Sequence, residues 1–258
     1  MSSEYRDYDN INEDVRNNYK MARIYQTLDY VKYMRGKYSK FEEKIDIIKS
    51  LELLNNFIDL SDPDISLSNL EHLYQSANYA MEEEEPEWMI VTCLLHDLGK
   101  IMYLRGNDED GTSMKNQYGI VGDTFIVGCK IPDDIILNEY NILNPDMSND
   151  KYNTKYGIYE KNCGLDNCYV SYGHDEYLYQ LLKYNNTKLP EEALYIIRFH
   201  SLYLHHDKNV YEHLMSEKDI KYLPLLKRFN KYDLYSKCDK IIDDNKKKYL
   251  RELYSKYI

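Results

Sequence analysis

The sequence predicts an all-α protein folded as a single domain over residues 1–258. Three observations lead there: the 258 residues include only 6 Pro and 10 Gly, apolar residues recur at three- and four-residue steps over long stretches, and no internal repeat or low-complexity block divides the chain. At this length one compact domain can bury roughly three-quarters of the surface its unfolded chain exposes. The apolar supply is unusual. Tyr accounts for 29 residues against 5 Phe and a single Trp, so the core must be filled partly by rings whose hydroxyls need partners.

Taken in order, residues 1–30 are expected to form a polar N-terminal arm with no apolar signal segment. Over residues 44–60, Ile47, Ile48, Leu51, Leu54 and Ile58 mark one face of a helix, and Ser61-Asp62-Pro63-Asp64 stops it. A second helix is expected from about Ser68 through His72 to Met81. A third runs from Pro86, acceptable in a first turn, through Trp88, Val91, Leu94 and Leu95 to Gly99. Residues 105–119 are polar and read as a solvated insertion. Aligned as a calcium loop on Gly111, they would put Gly106 and Gln117 at the first and last ligand positions, which suits neither. Residues 120–128, with Gly122-Asp123 between β-branched residues, predict a short strand and turn, and 144–164 look irregular. Leu189-Pro190-Glu191-Glu192 opens a late helix ending near His200, and Ser216-x-x-Asp219, a capping-box pattern, opens another ending near Asp233. The Lys-rich residues 245–248 read as a solvated helix face.

The charge balance, 44 Asp and Glu against 33 Lys and Arg, argues against a broad phosphate-binding face and so against nucleic acid. The longest clean apolar run, residues 89–95, is too short to span a membrane. Five Cys at 93, 129, 163, 168 and 238 form no CxxC pair. They read as free thiols in a reducing, cytoplasmic compartment.

The seven His fall into two groups. His205, His206 and His213 lie in a polar stretch and read as surface residues. His72, His96, His174 and His200 sit among apolar or small residues. Singly, each has a plain structural reading: a core His, a helix N-terminus at His174-Asp175-Glu176, or a surface acid paired with Lys at Asp233. Together they would leave several polar groups on apolar faces without partners, and His96-Asp97 after a buried helix points to a metal cluster instead. Nitrogen and oxygen donors favour iron or manganese over a thiolate zinc site. Six ligands divide naturally over two metals, with Asp97 bridging. Lys100, one turn on, either approaches that site or caps the helix dipole.

The runs SDPD with His72, LLHDLGKIM (94–102), VGDTFIVGCK (121–130), CGLDN (163–167), SYGHDEYLYQLLKYN (171–185), LPEEALYIIRFHSLY (189–203) and FNKYDLYSKC (229–238) resemble the myo-inositol oxygenase family, in order and over nearly the whole chain. The resemblance implies an HD-domain-like helical fold around a non-haem, mixed-valent Fe(II)/Fe(III) pair. It also implies dioxygen as co-substrate and ring cleavage of myo-inositol to D-glucuronate. Carried over, His72, His96, Asp97 and Asp233 would hold one iron, with Asp97 bridging, and His174 and His200 the other. Substrate contacts would fall on Arg6 of the N-terminal arm, Asp59, Ser61, Lys100, Gly122, Asp123, Ser201 and Lys237, types that suit a polyol. Because the metals already carry surplus positive charge, Lys100 fits a catalytic role as donor to a substrate oxygen or proton shuttle better than one of charge compensation.

Departures from the family are Tyr172 where Trp is common, Leu204-His205 in place of Pro-Trp, a longer 105–119 loop and an early C-terminus. The partner implied is a small polyol, with no nucleic acid or membrane and a monomeric protein. Two rivals remain: an HD-domain phosphohydrolase sharing His72, His96-Asp97 and Asp233, which would favour a more basic pocket, and an inactive scaffold of the same fold.

Overall fold

The computed structural model describes residues 11–41, 46–62, 68–236 and 241–258, and their regular structure is helical. The described part of the arm expected at the N-terminus, residues 11–30, holds α1 (Glu13–Tyr25) and the start of α2 (Leu28–Lys37). Asn12 caps the first by accepting from the Val15 amide and Thr27 the second by accepting from the Tyr30 amide. Val15, Tyr19 and Ala22, then Leu28, Val31 and Met34, give each a buried stripe at helical spacing.

Helix α3 (Ile47–Leu53) runs into a 3-10 turn, Leu54–Asn56, and ends earlier than its apolar pattern suggested. The chain then becomes extended at Phe57, which frees residues 57–62 to line a cavity. Helix α4 (Asn69–Glu82) starts where expected, with Ser68 as its cap. Helix α5 (Glu87–Leu95) follows Pro86, which is the cap residue, and buries every residue from 89 to 95. An α-helix buried all round leaves no solvated face, as its unbroken apolar run requires. The chain then tightens into a 3-10 segment, Leu98–Arg105.

The remaining helices are α6 (His174–Tyr184), α7 (Glu191–Phe199), α8 (Tyr203–His206), α9 (Glu217–Tyr235) and α10 (Asp244–Tyr254). Helix α4 packs on α5, α6 on α7 and on the 98–105 segment, and α9 lies against α4, α5 and α7. The capping box at Ser216 and Asp219 forms in both directions. The Lys-rich face of α10 is less solvated than its composition implied. Lys246 reaches Asn78 and Glu82, and Lys247 reaches Glu71, so these cations tie α10 to α4.

Two mid-chain expectations change. The strand over 120–128 shrinks to one antiparallel bridge between Ile126 and Val170 beside a turn at Gly122, whose φ of 120° lies in the region that favours glycine. The 105–119 insertion is solvated only in part: Arg105, Asn107, Asp108, Glu109 and Lys115 are exposed, but Asp110, Thr112, Gln117 and Tyr118 are buried. The Asp110 carboxylate accepts from Lys37 Nζ (2.6 Å), Tyr38 (2.8 Å), the Thr112 amide (3.2 Å) and the Thr112 hydroxyl. Gln117 accepts from the Leu60 amide and donates to the Ile58 carbonyl. The polar residues of this loop are thus partners for the Tyr and Lys of α2 and for the cavity wall. At the buried positions of the loop, polarity reflects hydrogen bonding and not exposure. No helix among the described residues is long and apolar enough to cross a membrane.

Candidate functional site

The turn after α5 brings His96 and Asp97 to the middle of the molecule, α4 supplies His72, α6 opens with His174, His200 follows α7, and Asp233 comes from the last turns of α9. All six are buried. Gly99 allows this convergence, because a Cβ there would lie 2.0 Å from the His174 carbonyl oxygen. Asp97 Oδ1 lies 3.0 Å from His174 Nε2 and 3.7 Å from His200 Nε2, while its Oδ2 is 3.6 Å from His96 Nε2. Asp233 Oδ1 is 2.9 Å from His72 Nε2 and 3.4 Å from His96 Nε2.

The hydrogen bonds fix what these nitrogens can do. His96 Nδ1 donates to the Cys93 carbonyl (2.9 Å), His174 Nδ1 to the Ile120 carbonyl (2.7 Å) and His200 Nδ1 to the Ile197 carbonyl (2.8 Å). A carbonyl only accepts, so in each neutral ring the Nε2 carries a lone pair. Those of His174 and His200 face each other at 3.1 Å, and that of His96 has no hydrogen-bond partner while facing two carboxylates. Lone pairs and carboxylates directed at one another are repulsive unless a cation or extra protons sit among them, and a His donating its other nitrogen to a carbonyl is the usual posture of a metal ligand. A nitrogen and oxygen donor set without thiolate suits iron or manganese.

In the protein alone, burial disfavours the His96 cation, yet Asp97 and Asp233 push its pKa up. Burial would likewise raise both carboxyls. Lys100 and His96 instead hold Asp97, and His96 and His72 hold Asp233, well below the usual carboxylate range.

Above this cluster lies a cavity of about 160 Å³. Its described lining includes His72, Asp97, His174, His200 and Asp233 as the floor, and Asp59, Ser61, Lys100, Gly122, Asp123 and Ser201 around them. Six of the eight residues expected to contact a ligand therefore meet at one place; Arg6 and Lys237 lie outside the described residues. His96 sits behind the lining, its ring edge-on to Phe229 and to His200. Tyr19 holds Asp123 by donating to Oδ1 at 3.1 Å. The Thr124 amide donates to the Ser201 carbonyl, tying the two sides of the wall.

Lys100 does not cap a helix end. Its ammonium donates to Asp59 Oδ2 (2.7 Å), Asp97 Oδ2 (2.8 Å) and Asn69 Oδ1 (3.1 Å), which occupies all three protons. Burial opposes its charge, but Asp59 and Asp97 hold it protonated well above an ordinary lysine. A proton-shuttle role sits poorly with that; donation to a ligand by exchange of one contact fits.

Other assignments shift. His205 and His206, expected at the surface, are buried, and His213 is half-buried. His206 Nε2 donates to the His200 carbonyl at 2.8 Å, and His205 donates to the Tyr195 hydroxyl, which in turn donates to Asp219. Their polar neighbours hid this. Glu176 lies in the first turn of α6, as the helix N-terminus reading has it, but it is buried, accepts from Arg198 Nε at 2.8 Å and pairs with Arg35. Asn69 and Tyr203 also line the cavity and were not singled out in sequence. Only the proximity of Asn69 to His72, one helical turn away, could have marked it.

Fold and site together define a class, that of helical proteins in which buried His and Asp side chains able to hold metal form the floor of a polar cavity. A profile of the myo-inositol oxygenase family matches residues 12–258. The chain is 43% identical to inositol oxygenase 1 of Arabidopsis thaliana over 98% of its length and 82% of that protein's. It is 40% identical to inositol oxygenase of Dictyostelium discoideum (98% and 87%) and 39% identical to that of Danio rerio (99% and 91%). The chain belongs to the myo-inositol oxygenase family.

Proposed function

We propose that this protein catalyses the ring-cleaving oxidation of myo-inositol by dioxygen to D-glucuronate. The observation that carries the metal part of the reading is the set of Nε2 lone pairs converging on Asp97. His72, His96, Asp97 and Asp233 would hold one iron and His174 and His200 the second, with Asp97 shared. When bound, the mixed-valent Fe(II)/Fe(III) pair supplies Lewis acidity toward a substrate hydroxyl and the redox capacity to use dioxygen. In balance, one inositol and one dioxygen give one glucuronic acid and one water: a ring carbon–carbon bond breaks, leaving an aldehyde at one end and a carboxyl group at the other.

The chain's own residues bind and orient. Asp123, fixed from behind by Tyr19, and Asp59 accept from ring hydroxyls, Ser61 and Ser201 both donate and accept, and Lys100 donates. Lys100, Asp123 and Ser201 are buried, which strengthens each polar contact. The cavity volume lies below the roughly 300–1,000 Å³ of sites for drug-sized ligands, which favours a small polyol. A phosphate ligand is disfavoured by charge. Among the described lining residues Lys100 is the one Lys or Arg, and it stands with Asp59, Asp62, Asp97, Asp123 and Asp233.

With this function goes a single-domain, monomeric, cytosolic enzyme; the free thiols at Cys93, Cys129, Cys163 and Cys168 suit a reducing compartment. The test is oxygen uptake by iron-loaded protein with myo-inositol, with glucuronate quantified. Equal consumption of oxygen and formation of glucuronate is expected. Phosphate release from nucleotides without oxygen uptake would overturn the reading in favour of a phosphohydrolase.

A further inference from the structure

Three acceptors surround the Lys100 ammonium, and they are not equivalent. Asp59 and Asp97 are carboxylates at 2.7 and 2.8 Å, whereas Asn69 Oδ1 is a neutral amide oxygen at 3.1 Å. Hydrogen bonds between two ionised groups are shorter and stronger than those to a neutral acceptor, so the Asn69 contact is the one most cheaply opened. The direction of the amide is fixed. Its Nδ2 donates to the Phe57 carbonyl at 2.6 Å, and a flip would set its NH2 against the ammonium and its oxygen against a carbonyl. Both Asn69 and Lys100 line the cavity, and Asn69 is one helical turn from His72 on α4.

We propose that Asn69 is a specificity-determining residue: one ligand hydroxyl inserts between Lys100 and Asn69, accepting from the ammonium and donating to Oδ1. This rests on the polyol reading of the cavity. A hydroxyl fills such a gap because it is donor and acceptor at once. A ketone or ether oxygen satisfies Lys100 and leaves Asn69 Oδ1 facing another acceptor, and a methylene leaves the Lys100–Asn69 bond closed and gains neither contact. The pair therefore selects for a free hydroxyl at one ring position, by a residue that does not touch the metal donors.

The test measures binding without turnover. Calorimetry on the anaerobic, iron-loaded protein compares myo-inositol with each mono-deoxy-inositol. One deoxy compound should bind the wild-type protein roughly ten- to a hundredfold more weakly than myo-inositol through the loss of this insertion. In Asn69→Leu that ratio should shrink to within about threefold, and Asn69→Ala gives the same reading if the Leu variant does not fold. A ratio unchanged in Asn69→Leu and Asn69→Ala would make Asn69 an anchor for Phe57 and overturn the inference while leaving the polyol reading intact. Failure of myo-inositol to bind the wild-type protein would remove both.

Discussion

Asp110 and Asp97 are both buried carboxylates held by a lysine, yet their surroundings differ in kind. Asp110 accepts from Lys37, Tyr38 and two groups of Thr112, and each of these donors has a proton to give. Asp97 takes Lys100 on Oδ2, while its Oδ1 faces His174 and His200 nitrogens whose rings spend their protons on the carbonyls behind them. One cluster is complete with protein alone and holds α2 to the 105–119 loop; the other has acceptors and lone pairs placed where a cation or extra protons would satisfy them. Burial and polarity are common to both. Counting protons is what separates structure from function here.

The most severe way to break this contrast is to replace His96 by Ala. Losing a direct donor should lower iron affinity by more than the roughly ten- to hundredfold that loss of an outer partner costs, and oxygen uptake should fall with it. Iron retained at the wild-type level by metal analysis would place His96 with the structural residues.

Replacing Asp110 by Ala should do the opposite, destabilising the fold by about 2 kcal/mol in urea melts while leaving iron per folded molecule unchanged. The effect has a pH signature. Burial would raise the Asp110 carboxyl, but hydrogen bonds from Lys37 and Thr112 hold it below its ordinary value. A depressed folded value contributes stability that is complete above the unfolded value near ~3.9 and is lost as pH falls through the folded one. The wild-type margin over the Ala variant should therefore close below about pH 4.

A gentler contrast comes from His205, which burial lowers to about 4. Between that value and an unfolded value near ~6.5, the unfolded chain takes up a proton that the folded chain refuses, so stability declines as pH falls through this window. Denaturation at pH 7 and pH 5 should differ by between about 1 and 2 kcal/mol from this group, and His205→Phe should remove that part of the difference. The smallest expected effect sits where the two regions join. Gln117→Leu frees the Ile58 and Leu60 backbone groups and should raise the KM for inositol by about fivefold, near the worth of one hydrogen bond, with kcat nearly unchanged.

Much of this was legible in the sequence wherever the signal was local. The caps at Ser68 and Ser216, the buried run at 89–95 and the six His and Asp positions carried their own chemistry in order along the chain. What failed was inference of exposure from polarity. Asp110, His205 and His206 are polar because they serve partners that polarity alone does not reveal: Asp110 answers Lys37 and Tyr38, 73 and 72 residues away, and His206 answers the His200 carbonyl, six residues back. The Tyr excess belongs to the same account. Tyr30, Tyr159 and Tyr195 fill interior space while their hydroxyls donate to Asp110, Val127 and Asp219. Helices α1 and α2 escaped notice because their stripes mix Tyr, Met and Ala with charge, and α-helical packing overrides such weak periodicity.

The most direct test of the central claim is an anaerobic titration of metal-free protein with Fe(II), followed by metal analysis and thermal melting. Convergence of lone pairs on Asp97 predicts uptake of about two irons per chain and a rise in Tm, with both lost or sharply reduced in His96→Ala and Asp97→Asn. No uptake, or uptake and stabilisation equal in the two variants, would contradict it.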